Sequence, residues 1–115
     1  VIYSAIIHIE PHAKERPRFG GGRAYNSKRY TDWRKRFVAL APKVKRPMSG
    51  ALHLSVTFFT KTGKMRPDLD NALAGVCDAL QDAGVIVNDR DVVHLECWIE
   101  QTVNTPMIDI TIKEH

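Results

Sequence analysis

The chain has 115 residues and a mass of 13.0 kDa, enough for one domain with one buried core. Hydrophobic residues make up 43% and charged residues 26%, and no run of about 18 apolar residues occurs, which excludes a membrane-spanning helix. The net charge of +4 conceals a sorting: residues 11–66 hold 15 Lys and Arg against Glu15 and Asp32, a balance of +13, whereas residues 67–115 balance at −8. A basic first half points to a polyanionic partner, most simply nucleic acid. The acidic second half repels that partner unless a cation neutralises it.

Residues 1–9 alternate and are rich in β-formers, so a strand is expected there. Residues 11–24 carry Pro11, Pro17 and the Gly20-Gly21-Gly22 run and read as a loop, its Lys14, Arg16, Arg18 and Arg23 interleaved with Phe19 and Tyr25. Ser27 is the expected N-cap of a helix over 28–40, with Tyr30, Trp33, Phe37 and Leu40 as its apolar stripe. Arg29, Arg34, Lys35 and Arg36 lie off that stripe. A basic connector bracketed by Pro42 and Pro47 leads to a strand over 51–59, with Leu52, Leu54, Val56 and Phe58 on one side.

After a loop around Gly63, a second helix is expected from Pro67 or Asp68 to Ala83. Its apolar residues Leu69, Leu73, Val76, Cys77 and Leu80 follow a 3.6-residue period, and Gly84 stands where a helix-terminating glycine belongs. Residues 85–87 suit a short strand, and 92–103 with 107–113 suit a hairpin turning at 104–106. The order β-α-β-α-β-β predicts a single α/β (mixed α+β) domain, with two helices on a mixed sheet.

The chemistry concentrates in Arg66-Pro67-Asp68-Leu69-Asp70-Asn71. Residues two apart diverge on a helix but share a side in extended backbone. Pro67 favours extended backbone at Arg66 and tolerates a helix start. A turn at Asp68 leading into the helix therefore aims Asp68 and Asp70 toward one point, where a hard divalent cation relieves their repulsion through oxygen ligation. The competing reading is that both carboxylates only complement the positive end of the helix. A second acidic knot, Asn88-Asp89-Arg90-Asp91, follows the helix, and a strand over 85–87 returns Asp89 toward the helix start. Asp68, Asp70 and Asp89 are then the candidate metal-ligating residues, forming a site for a cation such as Mg²⁺ that faces the basic half.

The run Asp68-Leu69-Asp70-Asn71, with Asp78-Ala79-Leu80, Ala83-Gly84-Val85 and Asn88-Asp89, resembles the RusA family of Holliday junction resolvases. Lys14-Glu15-Arg16-Pro17-Arg18-Phe19 with Tyr25 is similar to the N-terminal part of phage and prophage members. The resemblance covers about residues 8 to 100. It implies a small mixed α/β fold, a homodimer, and Mg²⁺- or Mn²⁺-dependent cutting of branched DNA, with the acidic triad falling on Asp68, Asp70 and Asp89. A two-fold-symmetric junction cut in pairs gives the dimer a geometric rationale.

The family's frequent Asp-Asp pair is Asn88-Asp89 here. Many members carry a lysine one helical turn after the second aspartate, and this chain has Ala74; Lys64 or Arg66 is then the candidate to supply that charge. Ala74 also leaves open an alternative, a branched-DNA-binding protein with weak or no cleavage. A basic RNA-binding domain with structural acidic residues is a third reading. The candidate DNA-binding residues are Lys14, Arg16, Arg18, Phe19, Arg23, Lys64 and Arg66, with the arginines on phosphates and Phe19 stacked at the branch point.

Cys77 and Cys97 lack metal-ligand spacing and read as buried thiols in a reducing, cytoplasmic compartment, since the first ten residues have no signal-peptide character. His8, His12, His53 and His94 show no metal-ligand pattern, and His94 reads as a structural residue of a strand. Asp78 and Asp82 are placed on the solvated face of the second helix.

Overall fold

The computed structural model describes residues 1–14, 18–21 and 23–114. Strand β1 (Ile2–Ile7) is followed by two short strands, β2 (Arg18–Gly20) and β3 (Arg23–Tyr25), then helix α1 (Lys28–Leu40) and strand β4 (Leu52–Lys61). Helix α2 (Leu69–Asp82), a 3-10 turn at Asp89–Asp91, β5 (Val92–Thr102) and β6 (Met107–Glu114) complete the chain. The main sheet has the order β1-β6-β4-β5, so the expected mixed α/β domain with two helices on one sheet is what forms.

Alternation sets the strands: Tyr3, Ala5 and Ile7 of β1, Leu52, Leu54, Val56 and Phe58 of β4, and Ile108, Ile110 and Ile112 of β6 are all buried on one face. Helix α1 opens as expected, Ser27 Oγ accepting from the Tyr30 amide at 3.2 Å. Its Tyr30, Trp33 and Phe37 are buried. Helix α2 ends at Ala83, and Gly84 takes φ +70°, the left-handed conformation that a glycine adopts without strain.

Three expectations are corrected. The segment 92–113 is not a hairpin: β5 pairs in parallel with β4, and β6 pairs antiparallel with β4 and β1, so β4 separates the two. Helix α2 is long enough to carry the chain back from β4 to a parallel neighbour, which leaves β5 at a sheet edge. Residues 85–87 form no strand but a single parallel bridge, Met48 to Ile86. The glycine-rich segment read as loop contains the β2–β3 pair, with Arg18 opposite Tyr25 and Gly20 opposite Arg23.

Helix α2 also turns differently from its apolar period. Ala72, Gly75, Val76, Ala79 and Leu80 are the buried residues, while Leu73 and Cys77 are half-buried and Leu69 is exposed. The small residues permit a close approach. A Cβ on Gly75 would stand 2.8 Å from the carbonyl oxygen of His12, so the N-terminal segment lies directly against the helix. That segment is pinned twice: the Trp33 indole N–H donates to the Glu10 carbonyl at 2.8 Å, and the Lys14 amide donates to the Asn71 carbonyl at 2.9 Å.

Candidate active site

The first turn of α2 is built by Asp68 at the N-cap, in extended backbone, and Asp70 one residue inside the helix. Both are exposed. Asn71 ties them together, its amide donating to Asp70 Oδ1 at 2.9 Å and its side-chain nitrogen to Asp68 Oδ2 at 3.4 Å. Asn88 caps the 3-10 turn, its Oδ1 accepting from the Arg90 amide at 2.9 Å, and Asp89 opens that turn directly before β5.

Asp70 and Asp89 border one hollow of about 350 Å³, walled by Leu54, Leu73, Ala74, Cys77 and Leu95. Here the edge position of β5 matters. Leu95 lies beside Leu54 on the helix-bearing face, yet it remains 43% exposed because α2 does not cover the edge fully. Burial, with the charges of Asp89 and Asp78, raises the Cys77 thiol to about 11, so it is protonated at neutral pH. Asp68 faces a neighbouring hollow, with Arg66, Pro67, Leu69 and Ile99. Backbone geometry explains the split, since the chain changes from extended at Asp68 to helical at Asp70. The two carboxylates expected to aim at one point therefore border adjacent hollows.

The candidate basic residues do not all gather at this end. Lys14 reaches α2 through its amide and through an ion pair to Asp78 at 3.2 Å. Arg66 borders the Asp68 hollow. Lys64 instead pairs with Glu10 at 3.5 Å and borders a separate hollow with Arg29, Asp32 and Arg36. Arg18, Phe19 and Arg23 lie on the β2–β3 pair, and Arg16 lies outside the described residues.

Asp78 and Asp82, expected to be merely solvated, clasp the two helices. The Tyr30 hydroxyl donates to Asp78 Oδ2 at 2.6 Å, and Arg34 donates to both oxygens of Asp82 at 2.6 and 2.8 Å. Burial first, and then the Asp78 hydrogen bond, push the Tyr30 phenol far above its ordinary range. Sequence reasoning also missed His53, His94 and Glu96, whose side chains meet on the other face of the sheet. The His94, Glu96 spacing of two was legible, but the register that sets His53 against His94 was not.

Fold and site together define a small mixed α/β domain that displays carboxylates at a helix start beside a basic N-terminal segment. The family model of the RusA endodeoxyribonucleases matches residues 8–113, and the chain belongs to that family. The family comprises Holliday junction resolvases, nucleases that act on branched DNA. No curated protein matches the chain. Among the described residues, no helix is long and apolar enough to cross a membrane.

Proposed function

We propose that this chain resolves Holliday junctions and other branched DNA by paired, Mg²⁺-dependent phosphodiester hydrolysis, acting as a homodimer, with Asp68, Asp70 and Asp89 as the catalytic carboxylates. The observation that carries this reading is the shared hollow: Asp70 and Asp89, distant in the chain, border the same recess at the end of α2 where the basic segment docks.

The residues fit a hard divalent cation. Asp70 and Asp89 offer carboxylate oxygens to one hollow, Asp68 borders the other, and the one sulfur in the wall of the first is the protonated Cys77. Oxygen donors suit Mg²⁺ and Mn²⁺. A cation held there supplies acidification of water and neutralisation of charge on the scissile phosphate. Asn71 steadies both Asp68 and Asp70, so their carboxylates remain presented at the helix start. Lys14, Arg16, Arg18, Arg23, Lys64 and Arg66 hold the DNA backbone, and Phe19 stacks on bases at the branch. The positive end of α2 adds attraction for phosphate.

Ala74 in the wall of the hollow favours the second reading, a protein that binds branched DNA without efficient cleavage, because no cation stands at that position. Cleavage of a labelled four-way junction separates the two. Wild type, Asp70→Asn and Asp89→Asn are compared in Mg²⁺, Mn²⁺ and EDTA, with linear duplex alongside. Paired, metal-dependent nicks near the branch, lost in both variants while junction binding persists, are expected. Tight binding with no cutting by wild type would establish the second reading, and equal cutting by the variants would remove these carboxylates from the chemistry.

A further inference from the structure

The face of the sheet turned away from the helices carries a cluster that junction cleavage does not use. In the parallel β4–β5 pair, His53 stands directly opposite His94, and Ser55 opposite Glu96. Residues two apart in a strand share a face, so Glu96 lies on the same side as His94. One potential ligand atom from each of His53, His94 and Glu96 lies within 4.8 Å of the other two, the one such threesome of His, Cys, Asp or Glu among the described residues. The Glu96 carboxylate spans the pair, with Oε2 3.4 Å from His53 Nε2 and Oε1 3.9 Å from His94 Nε2.

We propose that His53, His94 and Glu96 form a binding site for a first-row transition metal, Zn²⁺ in the first place, that clips the edge strand β5 to the central strand β4. Four observations support it. Two imidazoles and a carboxylate are the donor set that suits Zn²⁺, Cu²⁺ or Ni²⁺, and they leave a fourth position open. His53 Nε2 is shut off from solvent and makes no hydrogen bond, its near neighbour Glu96 Oε2 standing at 3.4 Å outside hydrogen-bonding geometry, so a cation between the two would satisfy both. A hollow of about 190 Å³, bordered by His53, Ser55, Glu96, Thr111 and Lys113, has room for a further ligand. The last is separation: Leu54 and Leu95 put the Asp70–Asp89 hollow on the opposite face of the same two strands, so the sites are distinct.

Ligation requires one adjustment. The rings stack with centroids 3.9 Å apart and planes 5° apart, whereas a metal lies near the plane of each imidazole it binds. The rings must therefore open from parallel, and His94, on the edge strand, is the more exposed of the two. Lys113 at the rim opposes a dication and must swing aside, which its long exposed chain permits. The consequence for the domain follows from position. His94 lies two residues into β5, immediately after the turn that holds Asp89, so a metal clip there steadies the strand that presents Asp89.

Titration calorimetry with Zn²⁺ tests the site, on wild type, His94→Ala, Glu96→Gln and Asp70→Asn, with a phosphine reductant and no other divalent ion. Wild type and Asp70→Asn are expected to share one Zn²⁺-binding event of equal affinity, one ion per chain at this site, and to gain thermal stability with it. His94→Ala and Glu96→Gln are expected to bind at least about tenfold more weakly, because even partners outside the ligand shell are worth that much. Both substitutions are at exposed positions, and circular dichroism verifies the fold. Absence of binding by wild type would overturn the proposal. Undiminished binding by His94→Ala would do the same by placing the ion on the thiols or carboxylates, as would loss of binding in Asp70→Asn.

Discussion

Replacing Gly75 by alanine isolates the contact that holds the basic segment against α2. In an unobstructed helix this change stabilises by about 1 kcal/mol, since alanine has the higher helix propensity. Here the added Cβ meets the His12 carbonyl oxygen at 2.8 Å, a backbone atom, so one of the two elements must move by several tenths of an ångström. His12 has little room to retreat, because Glu10 is held by Trp33 on one side and Lys14 by Asn71 on the other. Overpacking of this kind costs about 1–3 kcal/mol, and losing the Lys14 to Asn71 hydrogen bond costs about 1 more. Set against the propensity gain, Gly75→Ala should destabilise by about 1–3 kcal/mol. For a domain of this size that lowers the thermal midpoint by roughly 4–12 °C. Urea and thermal unfolding measure it, and the sign decides. A midpoint equal to or above that of wild type would show that residues 12–14 do not lie against α2 as described.

Tyr30→Phe removes the 2.6 Å hydrogen bond to Asp78 and should cost about 1–2 kcal/mol at neutral pH by urea unfolding. Because the folded state raises the Tyr30 pKa, wild type keeps that contribution fully below the ordinary value of 10.0 and loses it as pH rises, the unfolded phenol ionising first. Its advantage over Tyr30→Phe should therefore shrink by about 1.4 kcal/mol between pH 9 and pH 11, and a constant advantage would contradict the buried, protonated phenol. Replacing Arg16 and Arg18 together by alanine should weaken junction binding and reduce the slope of log affinity against log salt by about 2, one unit per lost phosphate contact. An unaltered slope in a filter-binding titration would take both arginines out of the interface.

Local patterns carried much of this protein in plain view. The serine before Lys28 and the Tyr30, Trp33, Phe37 stripe specify α1, because capping and amphipathicity act over a few residues. The alternation in β4 identifies its buried face, and Gly84 marks the end of α2 for the same local reason. The Asp68-Leu69-Asp70-Asn71 run and its resemblance to the RusA family singled out the carboxylates from residue type and spacing alone.

Tertiary structure decided what depends on residues far apart. Whether β5 joins β6 or β4 is a choice among strand partners with similar alternation, and the α2 crossover resolves it in favour of a parallel pair with β4. That choice makes β5 an edge, leaves the hollow between Asp70 and Asp89 open, and sets His53 against His94 on the opposite face. The rotation of α2 is likewise non-local: its apolar residues announce one stripe, but Ala72, Gly75 and Ala79 are the ones that admit close neighbours. Asp78 and Asp82 read as solvated because their partners, Tyr30, Lys14 and Arg34, lie on another element. Sequence by itself determined the two helices and the long strands and nominated the carboxylates, since capping, periodicity and motif signals are read from residue type and spacing. Strand partners, helix rotation and side-chain pairings come from packing distant segments together, and only the folded chain specifies them.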